Sequence, residues 1–380
     1  MTDSAWMTDD MALFRQTVRR FVERELAPQE ERFWKQGHVD RDTWLQAGAA
    51  GVLLPSIPQD YGGGGGSFGH DAIVITEQAR AGVSSLGTSV HSAIVAHYLL
   101  TYGSEEQKRL WLPRMASGEL VVAIAMTEPG AGTDLQGIQT RAQREGGDYV
   151  INGSKTFITN GLMAGLIVVV CQTRPEAGAR GLSLIVVETE GLKGFRRGRL
   201  LEKIGMKGRD TTELFFDDVH VPAGNLLGAA EGEGFRQLMQ QLPKERMIIA
   251  LEAQALMERA LSETIAYVRE RRMFGQALID MQNTRFKLAE CKTQAAIAKV
   301  FVDDCMHRLL AGELDLPTAA MAKWWCTQKN CEIIDECLQL HGGYGYMLEY
   351  PIAKLYANAR VSKIYGGSNE IMKELIARSL

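Results

Sequence analysis

The feature that most constrains the fold is a change of pattern in the middle of the chain. Between residues 119 and 227 the sequence shows short strand-like runs and turns, at 120–125, 141–153, 166–173, 182–188 and 213–216. On either side, apolar residues recur at helical spacing. Because no helices alternate with the strands, a parallel sheet of the Rossmann type is not expected. The sequence therefore predicts an α+β fold, mostly α, with an amino-terminal helical domain (1–118), a middle β domain, barrel or sandwich (119–227), and a carboxy-terminal helical bundle (228–380).

The composition excludes several kinds of partner. A net charge of -4 with scattered basic residues gives no reason to expect nucleic acid. No apolar run approaches the ~20 residues that a membrane-spanning helix needs, so no membrane insertion is expected. The six cysteines form no C-x-x-C pair, which predicts reduced core thiols and no metal site: Cys171, Cys291, Cys305, Cys326, Cys331 and Cys337. Residues 1–6 are acidic and lack an apolar signal core, so we expect a cytoplasmic protein.

The amino-terminal part supports three local predictions. Residues 11–26 carry one apolar helical stripe, formed by Leu13, Val18, Phe21, Val22 and Leu26. Asp42 is expected to cap the helix that follows it. The five glycines at 62–66 predict an exposed turn and not a phosphate loop, because no strand precedes them and no Lys-Ser/Thr follows.

The carboxy-terminal part contains a heptad seam between residues 284 and 311. Its apolar residues are spaced alternately three and four apart, at Leu288, Cys291, Ala295, Ala298, Val302, Cys305 and Leu309. Such a seam serves a helix bundle, a subunit contact, or both. Pro317 is expected in the first turn of the next helix.

A carboxylate and a guanidinium, Glu245 and Arg246, interrupt an apolar helical run between residues 235 and 267. Neighbouring helix positions point about 100° apart, so the two side chains do not share one face. One interpretation is a surface ion pair; the other is an inward-facing functional group.

Several longer motifs resemble those of the acyl-CoA dehydrogenase family. They are MTEPGAGTD at 126–134, RRMFG at 271–275, QLHGGYGY at 339–346 and IYGGSNE at 364–370. The stretches QLPKER at 241–246 and GYGYMLEYPIAK at 343–354 look most like the long-chain type within that family. The resemblance covers nearly the whole chain. It implies the family's order of helical domain, β domain and four-helix bundle, a homotetramer built as a dimer of dimers, and FAD as the cofactor.

The resemblance also implies which residues hold FAD. Met126 and Thr127 would meet the flavin ring, with the Thr127 hydroxyl near N5, and Phe157 and Thr159 would flank its other face. Thr133 would reach the pyrophosphate. A neighbouring subunit would supply residues to the adenosine end: Arg271, Phe274, Gln282, Gln339 and Gly343. Ser368 and Glu370, in the last motif, are further expected cofactor contacts.

The catalytic base is implied by what the last motif lacks. Many family members carry a Glu directly after the Tyr of that motif, where this chain has Gly366. The long-chain and isovaleryl types take the base from the helix that carries Glu245. The resemblance therefore implies Glu245 as the base and the Gly366 backbone N–H as a donor to the thioester oxygen. Gly367 is expected beside the substrate. Arg246 is expected to face the substrate as well, with an orienting role around Glu245 or structural packing as the alternatives.

The implied reaction is α,β-dehydrogenation of a medium- or long-chain fatty acyl-CoA to the trans-2-enoyl-CoA, with an electron-transfer flavoprotein as acceptor. A branched-chain or terpenoid acyl-CoA would use the same base and stays an alternative. Further alternatives are an oxygen-using or group-eliminating relative and a non-catalytic flavoprotein scaffold. Small residues at Gly87, Ser89, Ser92 and Ala93 would allow a deep acyl pocket, but the sequence does not give its volume.

Overall fold

The order of elements is helices, strands and helices, as the sequence predicts. The computed structural model describes residues 4–380, so Met1, Thr2 and Asp3 of the acidic amino terminus lie outside the described residues. The helices are α1 (Asp9–Phe21), α2 (Glu30–Gln36), α3 (Arg41–Ala49), α4 (Phe68–Arg80), α5 (Ala96–Tyr102), α6 (Glu105–Ala116), α7 (Gly234–Glu270), α8 (Gln282–Ala311), α9 (Leu316–His341), α10 (Pro351–Ala359) and α11 (Asn369–Ala377). The strands are β1 (Val122–Ala125), β2 (Arg141–Glu145), β3 (Asp148–Thr159), β4 (Leu166–Gln172), β5 (Leu182–Glu188), β6 (Phe195–Leu200), β7 (Thr211–Pro222), β8 (Arg272–Met273) and β9 (Gln276–Ala277).

Seven of these strands form one sheet in the order β1-β4-β2-β3-β7-β6, with β5 paired to β4. The predicted hairpin is present as the antiparallel pair β2–β3, whereas β1 lies parallel to β4. Alternate residues of β4 face two different cores. Leu166, Val168 and Val170 join the core shared with the helices, and Ile167 and Val169 join a core made by the strands alone. The sheet therefore curls over its own apolar face and buries its other face against helices.

Two predictions for the amino-terminal part are wrong. Leu13 is 68% exposed, because α1 turns the other residues of the stripe inward, and Val18 and Phe21 are buried. Asp42 lies inside the first turn of α3, and Asp40 occupies the position before that helix. The glycine run is a turn ahead of α4, as predicted.

The carboxy-terminal helices pack around α7 and α9. Helices α7, α8 and α9 contact one another, and α10 and α11 pack on α9. The heptad seam of α8 is buried within the chain from Leu288 to Cys305, so it serves the bundle. Pro317 lies in the first turn of α9, as predicted, and all six cysteines are free thiols. Within residues 4–380 no helix is long and apolar enough to cross a bilayer.

Candidate active site

Glu245 and Arg246 are both buried, on different sides of α7. Glu245 is 8% exposed and Arg246 is 3% exposed. The interpretation of a surface ion pair is therefore wrong. The apolar residues before and after them place this part of α7 in the core, so the two charged side chains are enclosed with it.

The carboxyl of Glu245 has one strong protein partner, a tyrosine from α5. The Tyr98 hydroxyl donates to Oε1 of Glu245 over 2.8 Å, and both groups are buried. Burial raises the pKa of Glu245 to about 7, against the opposing effects of the Tyr98 hydrogen bond and the Arg246 charge. A carboxylate with a pKa near neutrality is suited to accept a proton from carbon, because its basicity is raised while it stays partly ionised.

Arg246 is a buried cation whose hydrogen-bonding capacity is not used up within the chain. Its Nε and Nη1 atoms have no hydrogen-bond partner among residues 4–380. Burial lowers the pKa of Arg246, and the Glu245 charge partly offsets this effect. Buried donors are normally paired, so these two N–H groups fit a polar ligand such as a cofactor or substrate.

The loop that carries Gly366 faces the same side of α7 as Glu245. Gly366 has a φ of +64°, and a Cβ on it would lie 2.3 Å from Cδ1 of Ile249. Ile249 follows Glu245 by one helical turn, so the two side chains share a face. A side chain at 366 and the side chain at 245 would thus approach one volume from two elements.

A buried lysine on α9 holds the loop that carries Gly366 through two hydrogen bonds. Lys323, on α9, donates from Nζ to the carbonyl oxygen of Gly367 at 2.7 Å and to Oδ1 of Asn369 at 3.0 Å. Burial, with a smaller effect from the nearby Arg246 charge, lowers the pKa of Lys323 to about 8. Gly367 and Ser368 are half-buried, and Glu370 is exposed in the first turn of α11.

The predicted flavin-contacting residues of the β domain come from two segments that are tied together. Thr156 N–H donates to the carbonyl oxygen of Thr127 at 2.9 Å. Lys155, fully buried, donates to the Met126 carbonyl oxygen at 2.9 Å and to Oε1 of Glu128 at 2.8 Å. Burial opposes the ion pair, yet the pKa of Glu128 stays below its usual value because Lys155 and nearby N–H groups stabilise the carboxylate.

Next to these hydrogen bonds, an irregularity of β3 exposes the aromatic side chain of Phe157. The register between β3 and β7 shifts between Lys155 and Ile158, and Phe157 there has a φ of +59° and is 67% exposed. Met126, Thr127 and Thr159 are half-buried, and Thr133 is exposed. A strained, exposed aromatic beside half-buried polar groups fits the face of a planar cofactor ring.

The residues expected to reach a second subunit lie together at the other end of α7. Arg271 follows the end of α7, its guanidinium 5.5 Å from the centre of the Tyr344 ring, next to Gly343. Phe274, between β8 and β9, is 90% exposed. Gln282 opens α8, Gln339 lies in the last turn of α9, and both are exposed.

Two of the small residues that would allow a deep acyl pocket have other contacts within the chain, and the pocket itself stays a prediction. A Cβ on Gly87 would lie 2.0 Å from Oδ1 of Asn160, and Oγ of Ser92 accepts a hydrogen bond from Leu54 N–H at 3.2 Å. These two small residues are explained by packing and hydrogen bonding within the chain. A cavity of about 730 Å³ opens elsewhere, among α1, α4, α7 and α8, and is lined by residues such as Arg80, Gln254 and Arg259.

Sequence reasoning missed Tyr98, Lys323 and Asn369. Lys323 gave a signal, because it is a single charge within the apolar run AAMAKWWC of α9. Tyr98 gave none, since a tyrosine among apolar helical residues is typical of any core.

Comparison with known proteins identifies the family. Three family models match in order: the acyl-CoA dehydrogenase N-terminal domain over residues 8–119, the middle domain over 123–219 and the C-terminal domain over 232–380. The long-chain specific acyl-CoA dehydrogenase of Rattus norvegicus is 48% identical over 370 residues, 97% of this chain and 86% of that protein.

Solved structures agree. An acyl-CoA dehydrogenase from Geobacillus kaustophilus superposes with a TM-score of 0.97 at 44% identity, covering 99% of both chains. A glutaryl-CoA dehydrogenase from Mycobacterium smegmatis in complex with FADH2 superposes with a TM-score of 0.91 at 28% identity, covering 98% of this chain and 95% of that one. This chain therefore belongs to the acyl-CoA dehydrogenase family of FAD-dependent oxidoreductases.

Proposed function

We propose that the protein dehydrogenates a medium- or long-chain acyl-CoA at its α,β bond, with Glu245 as the base that takes the α-proton. The observation that carries this proposal is the relation of Glu245 to Gly366. The family's commoner base position holds a glycine here, and that glycine faces Ile249, one turn beyond a buried carboxyl of raised pKa.

Removal of a proton next to a thioester needs a desolvated base and donors for the developing charge on the thioester oxygen. Glu245 meets the first need, since burial raises its pKa to about 7. Gly366 lacks a side chain but keeps its N–H, which we propose as one donor. Lys323 holds the adjoining Gly367 carbonyl and so fixes the direction of this part of the loop.

FAD, when bound, supplies the acceptor for the hydride that leaves the β-carbon. Within the chain, Met126, Thr127, Phe157 and Thr159 are the residues we propose to hold its ring, with Thr133 at the pyrophosphate. Ser368 and Glu370 would contact the cofactor at the start of α11, and Arg246 and Gly367 would line the substrate site.

The length of α7 supports a role for a second subunit. Arg271 follows Glu245 by 26 positions, which along a helix corresponds to about 39 Å. Arg271, Phe274, Gln282, Gln339 and Gly343 are therefore too far from Glu245 to complete its site in the same chain. We propose that they contact the cofactor of a neighbouring subunit in a homotetramer, a dimer of dimers.

The substrate class rests on similarity, since the relative named above at 48% identity acts on long chains. A branched or terpenoid acyl group would use the same base and is distinguished by the experiment below. An electron-transfer flavoprotein is the acceptor we propose, and the cytoplasm the location.

The test is anaerobic reduction of the bound flavin. Saturated acyl-CoAs from short to long, and one branched acyl-CoA, are added to the yellow protein while the visible flavin band is followed. We expect the long-chain acyl-CoAs to bleach the visible flavin band. The variant Glu245→Gln should keep its flavin but reduce it about 10²–10⁴-fold more slowly, the usual contribution of a general base.

A matched control is Glu258→Gln. Glu258 is an equally buried carboxyl on α7, but it pairs with Arg80 at 3.1 Å and Gln254 at 2.6 Å, beside the separate cavity. This variant should reduce flavin at the normal rate. An unchanged rate of flavin reduction in Glu245→Gln would refute the assignment of the base. Bleaching by the branched or short acyl-CoAs alone would show that the substrate class is a different one.

A further inference from the structure

We infer that Tyr98 is a positioning residue for the base, whose phenol O–H holds Oε1 of Glu245 so that Oε2 is aimed at the substrate. The inference rests on the proposed role of Glu245 and adds a residue to it. The hydrogen bond is 2.8 Å long, and Tyr98 is fully buried, so water does not compete for either group.

The helix around Glu245 needs such a support. Pro243 lies inside α7, two residues before Glu245, and has no N–H to donate to the carbonyl oxygen of Met239. The helix therefore lacks one backbone hydrogen bond close to Glu245. A small change in the path of the helix would move the carboxyl by a distance that matters for proton transfer.

Two tyrosines of α5 contact α7 on either side of Pro243. Tyr102 is one turn after Tyr98, with the ring centres 6.0 Å apart. Its hydroxyl lies 3.1 Å from the Gln237 carbonyl oxygen and 3.0 Å from Oε1 of Gln240, before Pro243. Tyr98 contacts Glu245 after Pro243. Helix α5 thus holds α7 on both sides of the proline, but only Tyr98 contacts the base.

The hydrogen bond from Tyr98 also has a measurable effect on the pKa of Glu245, together with the charged groups nearby. Arg246, on the same helix, and Tyr98 both favour the carboxylate, whereas burial disfavours it more strongly. Lys323, on α9, is near Arg246, and Tyr102 senses the Glu245 charge from α5. Loss of the Tyr98 hydroxyl removes a donor to the charged form, so it raises the pKa of Glu245 further.

The experiment measures the rate of flavin reduction by saturating acyl-CoA between pH 6 and pH 9.5 in anaerobic stopped flow. A hydrogen bond to a charged group is worth about one to two pH units. We expect Tyr98→Phe to move the acid limb up by about one unit and also to lower the plateau at high pH, because the carboxyl is no longer held in its productive position, so the rate falls about fivefold more at pH 7 than at pH 9. Tyr102→Phe is the matched control, and its limb should coincide with that of the unmodified protein.

A purely structural tyrosine would lower the rate equally at every pH, and that result, or an unmoved limb, would overturn the inference. A second variant covers the case in which Tyr98→Phe does not fold. Site-specific 3-fluorotyrosine at position 98 keeps the shape and is a stronger donor, so the acid limb should move down; no movement would count against the inference as well.

Failure of this inference is separable from failure of the proposed function. If Glu245→Gln lacks substrate-driven reduction while Tyr98→Phe keeps a normal pH profile, only the role of Tyr98 is wrong. If Glu245→Gln reduces its flavin at the normal rate, the base itself is misassigned.

Discussion

The two ends of α7 differ in which side chains are exposed to solvent. Near its start, the charged groups Glu245 and Arg246 are buried, where ionised side chains are rare. Just beyond its end, the aromatic Phe274 is 90% exposed, where large apolar groups are unfavourable. Both arrangements oppose the stability of the isolated chain, and both coincide with positions that we propose for catalysis or cofactor binding.

The difference teaches which part of the site one chain completes by itself. At the start of α7, Tyr98 and the Gly366 loop surround Glu245 with groups from the same chain. At the far end, the hairpin β8–β9 projects Phe274 and leaves it without comparable cover. Stability measurements should therefore respond to changes at the first end, and cofactor retention should respond at the second.

The largest effect on stability is expected from Glu245→Gln. Burial raises the pKa of Glu245 from 4.5 to about 7 in the folded protein, so the folded state disfavours the carboxylate. The free energy of unfolding therefore falls as pH rises from about 4.5 to 7. Glutamine carries no charge at any pH, so the variant should be more stable by about 3 kcal/mol at pH 8 and by less than about 1 kcal/mol at pH 5.

Urea denaturation of the apoprotein at the two pH values measures this gain. Glu258→Gln is the control, because Glu258 is buried but paired with Arg80, and its replacement should not stabilise the protein at pH 8. A Glu245→Gln variant that is less stable than the parent at pH 8 would show that the buried carboxylate is not a strained group.

The sequence predicts the site unevenly. Glu245 and Gly366 are predicted from the family resemblance, because this chain has Gly366 where many members carry a Glu and has Glu245 on the helix from which other members take the base. The pairing of Glu245 with Tyr98 joins residues 147 positions apart, and no local pattern indicates it. The charge of Arg246 likewise acts on Lys323 of α9, 77 positions away, and no local pattern indicates that the two are close.

The fold follows a similar division. Periodicity gives the helix–strand–helix order and the β2–β3 hairpin, because these depend on local residues. It misses β6, whose sequence FRRGRL has three arginines and a glycine and pairs only because β7 offers a partner edge. It also misses the π-helical turns at Val22–Leu26 and Ser89–Val95, which have no sequence signature of their own.

A smaller effect on stability, and one of opposite sign, is expected from Gly366→Ala. The φ of +64° costs alanine about 1–2 kcal/mol, and the new Cβ would press on Cδ1 of Ile249. Because Cδ1 is the end of a flexible side chain, Ile249 should turn aside, towards the volume next to Glu245. We expect a loss of about 2 kcal/mol in the free energy of unfolding and slower flavin reduction.

Two companion variants separate the backbone from the contact. Gly312 ends α8 with a φ of +77° and has no neighbour within 4 Å of a new Cβ, so Gly312→Ala reports the backbone cost alone. Ile249→Val removes Cδ1, and in that background Gly366→Ala should cost no more than Gly312→Ala. An excess that persists would mean that the loop does not face Ile249 as described.

The smallest effect on the stability of the chain is expected at the exposed end, from Phe274→Ala. Because this side chain is 90% exposed, its removal should change the free energy of unfolding of the apoprotein by no more than about 0.5 kcal/mol. If Phe274 contacts the cofactor of another subunit, FAD affinity should nevertheless fall about tenfold or more, as for an aromatic anchor at an interface. Leu13→Ala, which removes another exposed apolar side chain far from the β8–β9 hairpin in sequence, is the control and should leave FAD affinity unchanged. Equal FAD affinities for Phe274→Ala and the parent, measured by titrating apoprotein with FAD, would contradict the contact of Phe274 with the cofactor of another subunit.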